Sequence, residues 1–438
     1  MRFQLLRGIA VRLALICYAV PLSAQRSPSV VTLRDIYLAV DSASPSLRAA
    51  SASARAAAAR VPGASRLPDP QVQLQLMNRD LPGFGLDDPL GMNQIQVMQM
   101  VPVPGKLGLA GRVAAARSDA GRLQSAEVAW TQRAEAAMAF FELHRLDATL
   151  DVSRETLRLL SDIDSTATQM YAVGQGQQAD VLRAQLETSR MTADIEEMRG
   201  MRDAMAARLN AVLNRPAASV VGLTQLPALP DTLPASDVLV ARSLATRGML
   251  LAGASSFVAA TESERLARRE IWPDVQLGVV YGQRPMPDGS TSRMLSFMLG
   301  ATIPIWAGSR QLKLRDEAAA MREEAEADLE AMQAQTRGRV LELVARFERT
   351  RRLRALYVGS ILPQAQATER AARSSYRVGT VNFMTLLDAL MVVNGYREKL
   401  HQLDADAGAA LAELEMLTGG PLIPGNPPVA DSRNGASR

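Results

Sequence analysis

Four short runs of alternating apolar and polar residues stand out in a sequence that is otherwise patterned for helices. The clearest run spans 294–305, where leucine, phenylalanine and alanine alternate with small or polar side chains. A period of two places the apolar side chains on one face of a β-strand. We therefore predict four strands, at 72–76, 93–101, 275–283 and 294–305. The last two strands, of about 9–12 residues, are long enough to cross a bilayer when they are tilted.

The segment 107–171 predicts one very long helix, because it contains no proline and no glycine after Gly121. At about 1.5 Å per residue, such a helix extends on the order of 100 Å. Shorter helices are predicted at 33–61 and 179–214, and together they would match the long helix if they stacked end to end. A Pro-rich break is expected directly after the first of them, at 62–70.

This arrangement of helices and strands occurs twice in the chain, as an internal repeat. The sequence Tyr171-Ala-Val-Gly174 returns 205 residues later as Tyr376-Arg-Val-Gly379. A second long helix is therefore predicted at 310–376, with a kink or break at Pro363, since proline lacks the amide N–H that a helix interior needs. Pro102 and Pro304 correspond at an offset about three residues smaller, which indicates a length difference in the loop before these prolines. Each copy reads helix, strand, strand, long helix, helix.

The duplication and the two ends of the chain predict its domain organisation. Arg2, Arg7 and Arg12 precede a short apolar stretch and a small-residue cleavage site ending at Ala24, which is the pattern of a signal peptide. Cys17 lies in that stretch, so the mature chain is expected to lack cysteine. The predicted units are a signal peptide at 1–24, a first repeat at 25–216, a linker at 217–237, a second repeat at 238–421 and a flexible tail at 422–438.

Charge and composition exclude some classes of function. The formal net charge is +4, and three of the positive charges belong to the predicted signal peptide. The rest of the chain is close to neutral, so nothing in it indicates a nucleic-acid partner. Aromatic residues make up only 4% of the chain, which fits long helices better than a compact aromatic core.

Four strands cannot close a barrel, and their open edges would leave backbone groups unsatisfied in lipid. Three chains would supply twelve strands, an even number within the known range of membrane barrels. The same three chains would supply twelve long helical columns, which could line a tube. We therefore expect a mainly α protomer that forms, as a homotrimer, a 12-stranded β-barrel continued by an α-helical tunnel.

Several stretches resemble the TolC-like family of outer-membrane efflux proteins. They are Leu67-Pro-Asp-Pro70 before the first strand, Pro102-Val-Pro-Gly-Lys-Leu107 after the second, and Tyr376-Arg-Val-Gly-Thr-Val-Asn-Phe-Met-Thr-Leu-Leu-Asp-Ala389. The second stretch is similar to the heavy-metal branch, the CusC/CzcC-type channels. The sequence departs from the CusC type in lacking a lipid-anchor cysteine, because Ile16 precedes Cys17.

The resemblance implies a location and partners. It implies an outer-membrane channel in a two-membrane bacterium, with its helical part in the periplasm and outer-membrane lipid around its barrel. It also implies a periplasmic adaptor (membrane fusion) protein and an inner-membrane pump as partners. Heavy-metal cations are the expected cargo, with drugs or secreted polypeptides as the alternative. A soluble periplasmic coiled-coil scaffold is the alternative of another class.

The resemblance also implies functional residues at the two helix–turn–helix tips. The turns expected to contact the adaptor are Val173, Gly174, Val378, Gly379 and Thr380. Asp180 and Asp388 follow these turns and are expected to form an acidic aperture that selects cations. A carboxylate early in a helix also complements the helix dipole, which is the alternative reading. The family's second acidic position falls at Thr385 in this chain.

No catalytic or cofactor-binding pattern competes with the channel. The sequence Gly174-x-Gly176-x-x-Ala179 matches part of a dinucleotide fingerprint, but a helix precedes it where that motif needs a strand. His144 and His401 have no histidine four residues away and no cysteine partner, so no metal site is predicted. The chain is expected to be no enzyme and to bind no cofactor.

Overall fold

The computed structural model describes residues 30–78, 91–286, 288–427 and 429. The predicted signal peptide, almost all of the first interstrand loop and most of the predicted tail lie outside the described residues. The described elements follow one another in this order: α1 (Leu33–Ala43), α2 (Pro45–Ala64), β1 (Gln71–Met77), β2 (Met92–Val101), α3 (Lys106–Ala172), α4 (Gln178–Val212), α5 (Ser236–Thr246), α6 (Gly248–Arg269), β3 (Asp274–Pro285), β4 (Thr291–Thr302), α7 (Gln311–Leu356), a π turn (Tyr357–Ile361), α8 (Leu362–Arg377) and α9 (Phe383–Thr418).

The opening helix of each copy is broken in the same way. Ser44 separates α1 from α2 and has ψ 122°, because the proline that follows disfavours helical backbone at the preceding residue. Arg247 separates α5 from α6 with a nearly identical ψ of 119°. The predicted continuous helix at 33–61 is therefore wrong. The predicted break at 62–70 is present but begins later, because α2 continues through Pro62 to Ala64.

The long helices agree closely with the sequence pattern. The first, α3, contains 67 residues without interruption. The second begins as α7 and passes through the π turn into α8, which starts directly before Pro363. A π turn accommodates one additional residue within a helix. The predicted local break at Pro363 is confirmed in this form.

The four strands form one antiparallel sheet in the order β1-β2-β3-β4. The central pairing joins the two copies, for example with Val97 opposite Val279. The last strand ends at Thr302, three residues before the predicted end at 305, and it begins three residues earlier than predicted. Within the described residues, β1 and β4 each have one edge without a neighbouring strand.

One face of the sheet is apolar and exposed. Phe297 and Leu299 are each 79% exposed, and Leu74 is 72% exposed. The alternation of side chains places these residues on the same face, together with Val72, Leu76, Ile95, Val97, Leu277, Val279, Tyr281 and Leu295. The opposite face carries mainly glutamine, methionine and glycine. An apolar face of this size needs a covering environment.

Helices from both copies pack into two apolar cores. The larger core lies where α1, α3, α4, α5, α7 and α9 meet, and it includes the completely buried rings of Phe140 and Phe141. The smaller core lies towards the turns that end α3 and α8. None of the described helices combines the length and the hydropathy that a membrane-crossing helix requires.

Candidate functional site

The two helical turns lie at the same end of the molecule. The smaller core is formed by α3 and α4 of the first copy and α8 and α9 of the second, and it includes Ile163, Ala184, Ala372 and Phe383. The charge of Asp180 also contributes to raising the pKa of Tyr376, after burial as the main cause. The structure therefore brings the two tips together, although they are about 200 residues apart in the sequence.

Both turns have the same backbone geometry. Gly174 and Gly379 adopt φ values of 76° and 73°, a left-handed conformation that favours glycine. In the first turn the Gln175 N–H donates to the Met170 carbonyl at 2.8 Å, and in the second the Thr380 N–H donates to the Ser375 carbonyl at 3.0 Å. These are the bonds of a Schellman helix end, which satisfies the last free carbonyls of a helix. Local physics thus explains both glycines without a partner.

Local physics does not explain the valines beside the glycines. Val173 is 69% exposed and Val378 is 74% exposed. Nothing lies within 4 Å of the position that a Cβ would take on either Gly174 or Gly379. The predicted adaptor-contact residues, including Thr380, therefore form two open apolar tips.

The two tips differ in how firmly they are anchored. Tyr376 is 6% exposed and packs edge-on against Phe383, with 6.1 Å between the ring centroids. Tyr171, at the equivalent position of the first copy, is 48% exposed. The second tip is fixed by an aromatic pair, and the first has a free aromatic side chain beside its turn.

The predicted acidic residues occupy different positions in their helices. Asp180 lies in the first turn of α4, where a carboxylate complements the helix dipole. Asp388 lies beyond the first turn of α9 and is exposed, so the dipole does not account for it. Neither side chain has a hydrogen-bond or ion-pair partner within the described residues.

Thr385 has a structural role at the start of α9. Its backbone N–H and its hydroxyl both donate to the Asn382 side-chain oxygen, at 2.9 and 2.8 Å. This is an N-terminal helix cap. A threonine therefore stabilises the helix start at the position where the resemblance led us to expect an acidic residue.

A buried lysine connects the sheet to the helices. Lys106 is 5% exposed, and its Nζ donates to the two carboxylate oxygens of Asp274 at 2.9 and 3.1 Å. Asp274 also accepts from the Val103 N–H at 3.0 Å. The sequence indicated the Pro-x-Pro-Gly-Lys stretch but not this ion pair. Its signal was the unusual lysine, because the chain contains very few.

A buried carboxylate holds the end of the chain against the larger core. Glu415 accepts hydrogen bonds from the Leu422 and Ile423 N–H groups at 2.7 and 2.8 Å, and from the Tyr37 hydroxyl at 3.1 Å. Burial raises the pKa of Glu415 above its usual value, although the backbone donors oppose the shift. The hydroxyl pKa of Tyr37 is also raised, mainly by burial. This cluster is structural, and no sequence pattern predicted it.

The histidines are closer to each other than their sequence positions indicate. Burial lowers the pKa of His401, and the charge of His144 contributes to the lowering. The His144 Nδ1 lies 3.2 Å from the Thr224 hydroxyl oxygen. Within the described part of the chain, no three metal-ligating side chains are grouped.

Comparisons with known proteins agree with this architecture. The sequence model of the family described as outer membrane efflux protein matches residues 239–420, which is nearly all of the second copy. Comparison with curated protein sequences finds no match.

Three solved structures illustrate the similarity in fold. The outer-membrane channel OprN is 18% identical with a TM-score of 0.78, and the alignment covers 89% of this chain and 90% of that one. The outer-membrane protein VceC from Vibrio cholerae is 18% identical with a TM-score of 0.75, covering 89% and 96%. CusC, described by its transmembrane channel formation, is 17% identical with a TM-score of 0.75, covering 89% and 92%. The chain has the fold of these three proteins.

Proposed function

We propose that this chain is one protomer of a trimeric outer-membrane channel, a passive conduit of a tripartite efflux system with no catalytic role. The observation that carries the proposal is the four-stranded sheet with two open edges and an exposed apolar face, joined to helices on the order of 100 Å long. Three copies would close the sheet edges and turn the apolar face towards lipid. The long helices would then continue the pore into the periplasm.

The ends of the sheet support a membrane boundary on the helical side. Trp272 and Trp306 lie next to β3 and β4 and are 61% and 75% exposed. Exposed tryptophans are typical of the membrane–water interface. The apolar strand residues would lie beyond them in the bilayer.

The tips support a partner at the other end of the molecule. Val173 and Val378 are exposed beside rigid turns, as expected for residues that contact a periplasmic adaptor. Asp180 and Asp388 have no partner among the described residues, and three copies would bring six carboxylates to this end. Carboxylate rings favour cations.

We further propose heavy-metal cations as the cargo. The support is the similarity of 102–107 to the heavy-metal branch, together with the acidic residues of the tips. Drugs or secreted polypeptides remain the alternative cargo, and the fold does not separate the two. Deleting the gene in the source bacterium distinguishes them. Greater sensitivity to copper, zinc or cobalt salts than to hydrophobic drugs supports the metals, and the reverse pattern refutes them.

Electron microscopy of the full chain, extracted in detergent from the outer-membrane fraction, tests the channel itself. The lengths of the strands and helices predict a threefold cylinder on the order of 120 Å long. A monomer, or a rod that needs no detergent, would refute the channel and support a soluble scaffold.

A further inference from the structure

The duplication relates the open edges of β1 and β4 to strand edges that are already paired inside the chain. We propose that β4 of one copy pairs with β1 of the next in a single register, with Ala301 opposite Val72, and that Arg310 forms an ion pair there with Asp69 of the neighbouring copy. This inference rests on the proposed trimer, but it can fail while the trimer stands.

The register inside the chain obeys the duplication. Residues of β1 correspond to residues of β3 at an offset of 205, and residues of β2 correspond to those of β4 at an offset of 202, as Pro102 and Pro304 indicate. Under these offsets the observed pair of Val72 and Val97 becomes Leu277 and Leu299. The structure contains that second pair. The two hairpins therefore share one register.

Applied to the β2–β3 pairing at the centre of the sheet, the same offsets give the register between β4 of one copy and β1 of the next. The observed pair of Gln99 and Leu277 becomes Ala301 opposite Val72 of the next copy. The neighbouring pairs are then Leu299 opposite Leu74, and Phe297 opposite Leu76. All six residues belong to the exposed apolar face. A slip of one residue would oppose this face with the polar one, so the register is restricted to this alignment or to slips of two.

The helices after the strands identify the counterpart of Lys106. Four buried residues of α3 correspond to four buried residues of α7 at an offset of 204: Ala136, Ala139, Phe140 and Leu143 correspond to Val340, Leu343, Val344 and Phe347. After the π turn, Ala167 and Ala372 correspond at 205. The π turn thus accounts for the change of one residue. Extended back to the start of the helix, the offset of 204 places Lys106 opposite Arg310. Because the preceding prolines match at 202, the turn before α7 contains two more residues than the turn before α3.

The acidic partner is identified by the same comparison. Lys106, after β2, pairs with Asp274 at the start of β3. Asp274 corresponds to Asp69, which precedes β1 in the equivalent sequence Pro-Asp-x-Gln. Arg310 and Asp69 are both exposed, and neither side chain has a partner within the described residues. The first basic residues inside α7 are Lys313 and Arg315, and both already pair with Asp316.

The ion pair selects among the remaining registers. A slip of two residues would keep the apolar face together but would move Asp69 by about 7 Å along the strand. Arg310 and Asp69 would then no longer occupy positions equivalent to those of the ion-paired Lys106 and Asp274. The proposed register therefore keeps the apolar residues on one face and also pairs Arg310 with Asp69.

Cysteine cross-linking tests the register in the full trimer. The only native cysteine is Cys17, in the predicted signal peptide. Two matched variants combine Ala301→Cys with Val72→Cys, and Thr302→Cys with Gln71→Cys. Successive pairs alternate between wide and close spacing, so one of the two brings its cysteines closest. Oxidation is expected to give covalently linked trimers in at least one variant on a denaturing gel.

A slipped variant is the control for this experiment. Leu299→Cys with Val72→Cys places the two cysteines two residues out of the proposed register, and it should not cross-link. Cross-linking of the slipped variant without the matched ones would overturn the register. Intact trimers with no cross-link in either matched variant would also overturn it. Absence of trimers by electron microscopy would instead refute the proposed function, and this inference with it.

Charge reversal tests the ion pair. Arg310→Asp and Asp69→Arg, each alone, are expected to lower the temperature at which the trimer dissociates in detergent. The double variant, which exchanges the charges, is expected to recover more than half of that loss. A double variant at least as unstable as the sum of the single ones would show that the two residues do not meet.

Discussion

A close packing contact in the larger core predicts a sharp difference between two glycines of α9. A Cβ added to Gly408 would lie 2.2 Å from Cε1 and 2.4 Å from Cδ1 of Phe141. Ordinary van der Waals contact begins at about 3.4 Å, so the ring would have to move by about 1 Å. Phe141 is completely buried and packs edge-on against Phe140 with ring centroids 5.4 Å apart. The ring therefore has little room.

Two opposing effects set the magnitude for Gly408→Ala. Alanine favours a helix over glycine by about 1 kcal/mol. Forcing one carbon into a closely packed core costs roughly 1–3 kcal/mol, and more where the neighbours cannot shift. Because three adjacent atoms of the ring lie far inside van der Waals distance, we place the cost at the upper end. The expected net loss of stability is about 1–2 kcal/mol per chain.

Gly395→Ala is the matched control. Gly395 lies in the same helix, is exposed, and has nothing within 4 Å of its added Cβ. Only the helix preference acts there, so this variant should be slightly more stable than the natural chain. The two substitutions are chemically identical and should change stability in opposite directions.

Thermal unfolding of the purified protein in detergent, followed by intrinsic fluorescence, measures the difference. Gly408→Ala should have a lower midpoint than the natural chain, and Gly395→Ala an equal or higher one. Combining Gly408→Ala with Phe141→Leu removes the clash and should lose less stability than the sum of the two single changes. A Gly408→Ala midpoint at or above that of Gly395→Ala would refute the packing argument.

Two further predictions concern charge. Asp180→Asn combined with Asp388→Asn should lower the cation preference of single channels in planar bilayers. Asp194→Asn changes an exposed aspartate farther along α4 and should not lower it. Equal selectivity of the natural chain and both variants would reject the acidic aperture. The raised pKa of Glu415 means that its protonated form is favoured in the folded chain, so its stabilising contribution is full below the ordinary pKa of 4.5 and is lost as the pH rises through the higher folded value. Glu415→Gln should therefore gain stability relative to the natural chain between pH 4.5 and pH 8, and a difference in melting midpoint that stays constant over this range would contradict the assignment.

Local sequence patterns predicted most of the elements correctly. The long helix expected at 107–171 is observed at Lys106–Ala172, and the strand expected at 93–101 at Met92–Val101. These predictions rest on the hydrophobic period and on the absence of proline, which act within a few residues. The break at Ser44 was missed although its cause, the following proline, is local. The helix through Pro62 was missed because packing against α3 can outweigh the intrinsic preference of one residue.

The contacts that fix the architecture could not be predicted in the same way. Lys106 and Asp274 are 168 residues apart, and Tyr37 and Glu415 are 378 apart. No local period relates such positions. The duplication was the one long-range signal in the sequence, and it identified equivalent residues rather than touching ones. Tertiary structure was needed to show which side chains meet, and the duplication then extends those contacts to a neighbouring copy.

The two copies have kept their sheet geometry and diverged at their tips, and this difference bears on the proposed partner. The hairpins share one register, and the broken helices share one kink at Ser44 and Arg247. At the tips, by contrast, Tyr376 is buried against Phe383 and Tyr171 is exposed. A barrel needs equivalent strands all around, because any irregular pair would leave an open edge. The tips are under no such requirement, so a periplasmic partner of the proposed trimer would meet two kinds of turn in alternation, three rigid and three more open, rather than six equal sites.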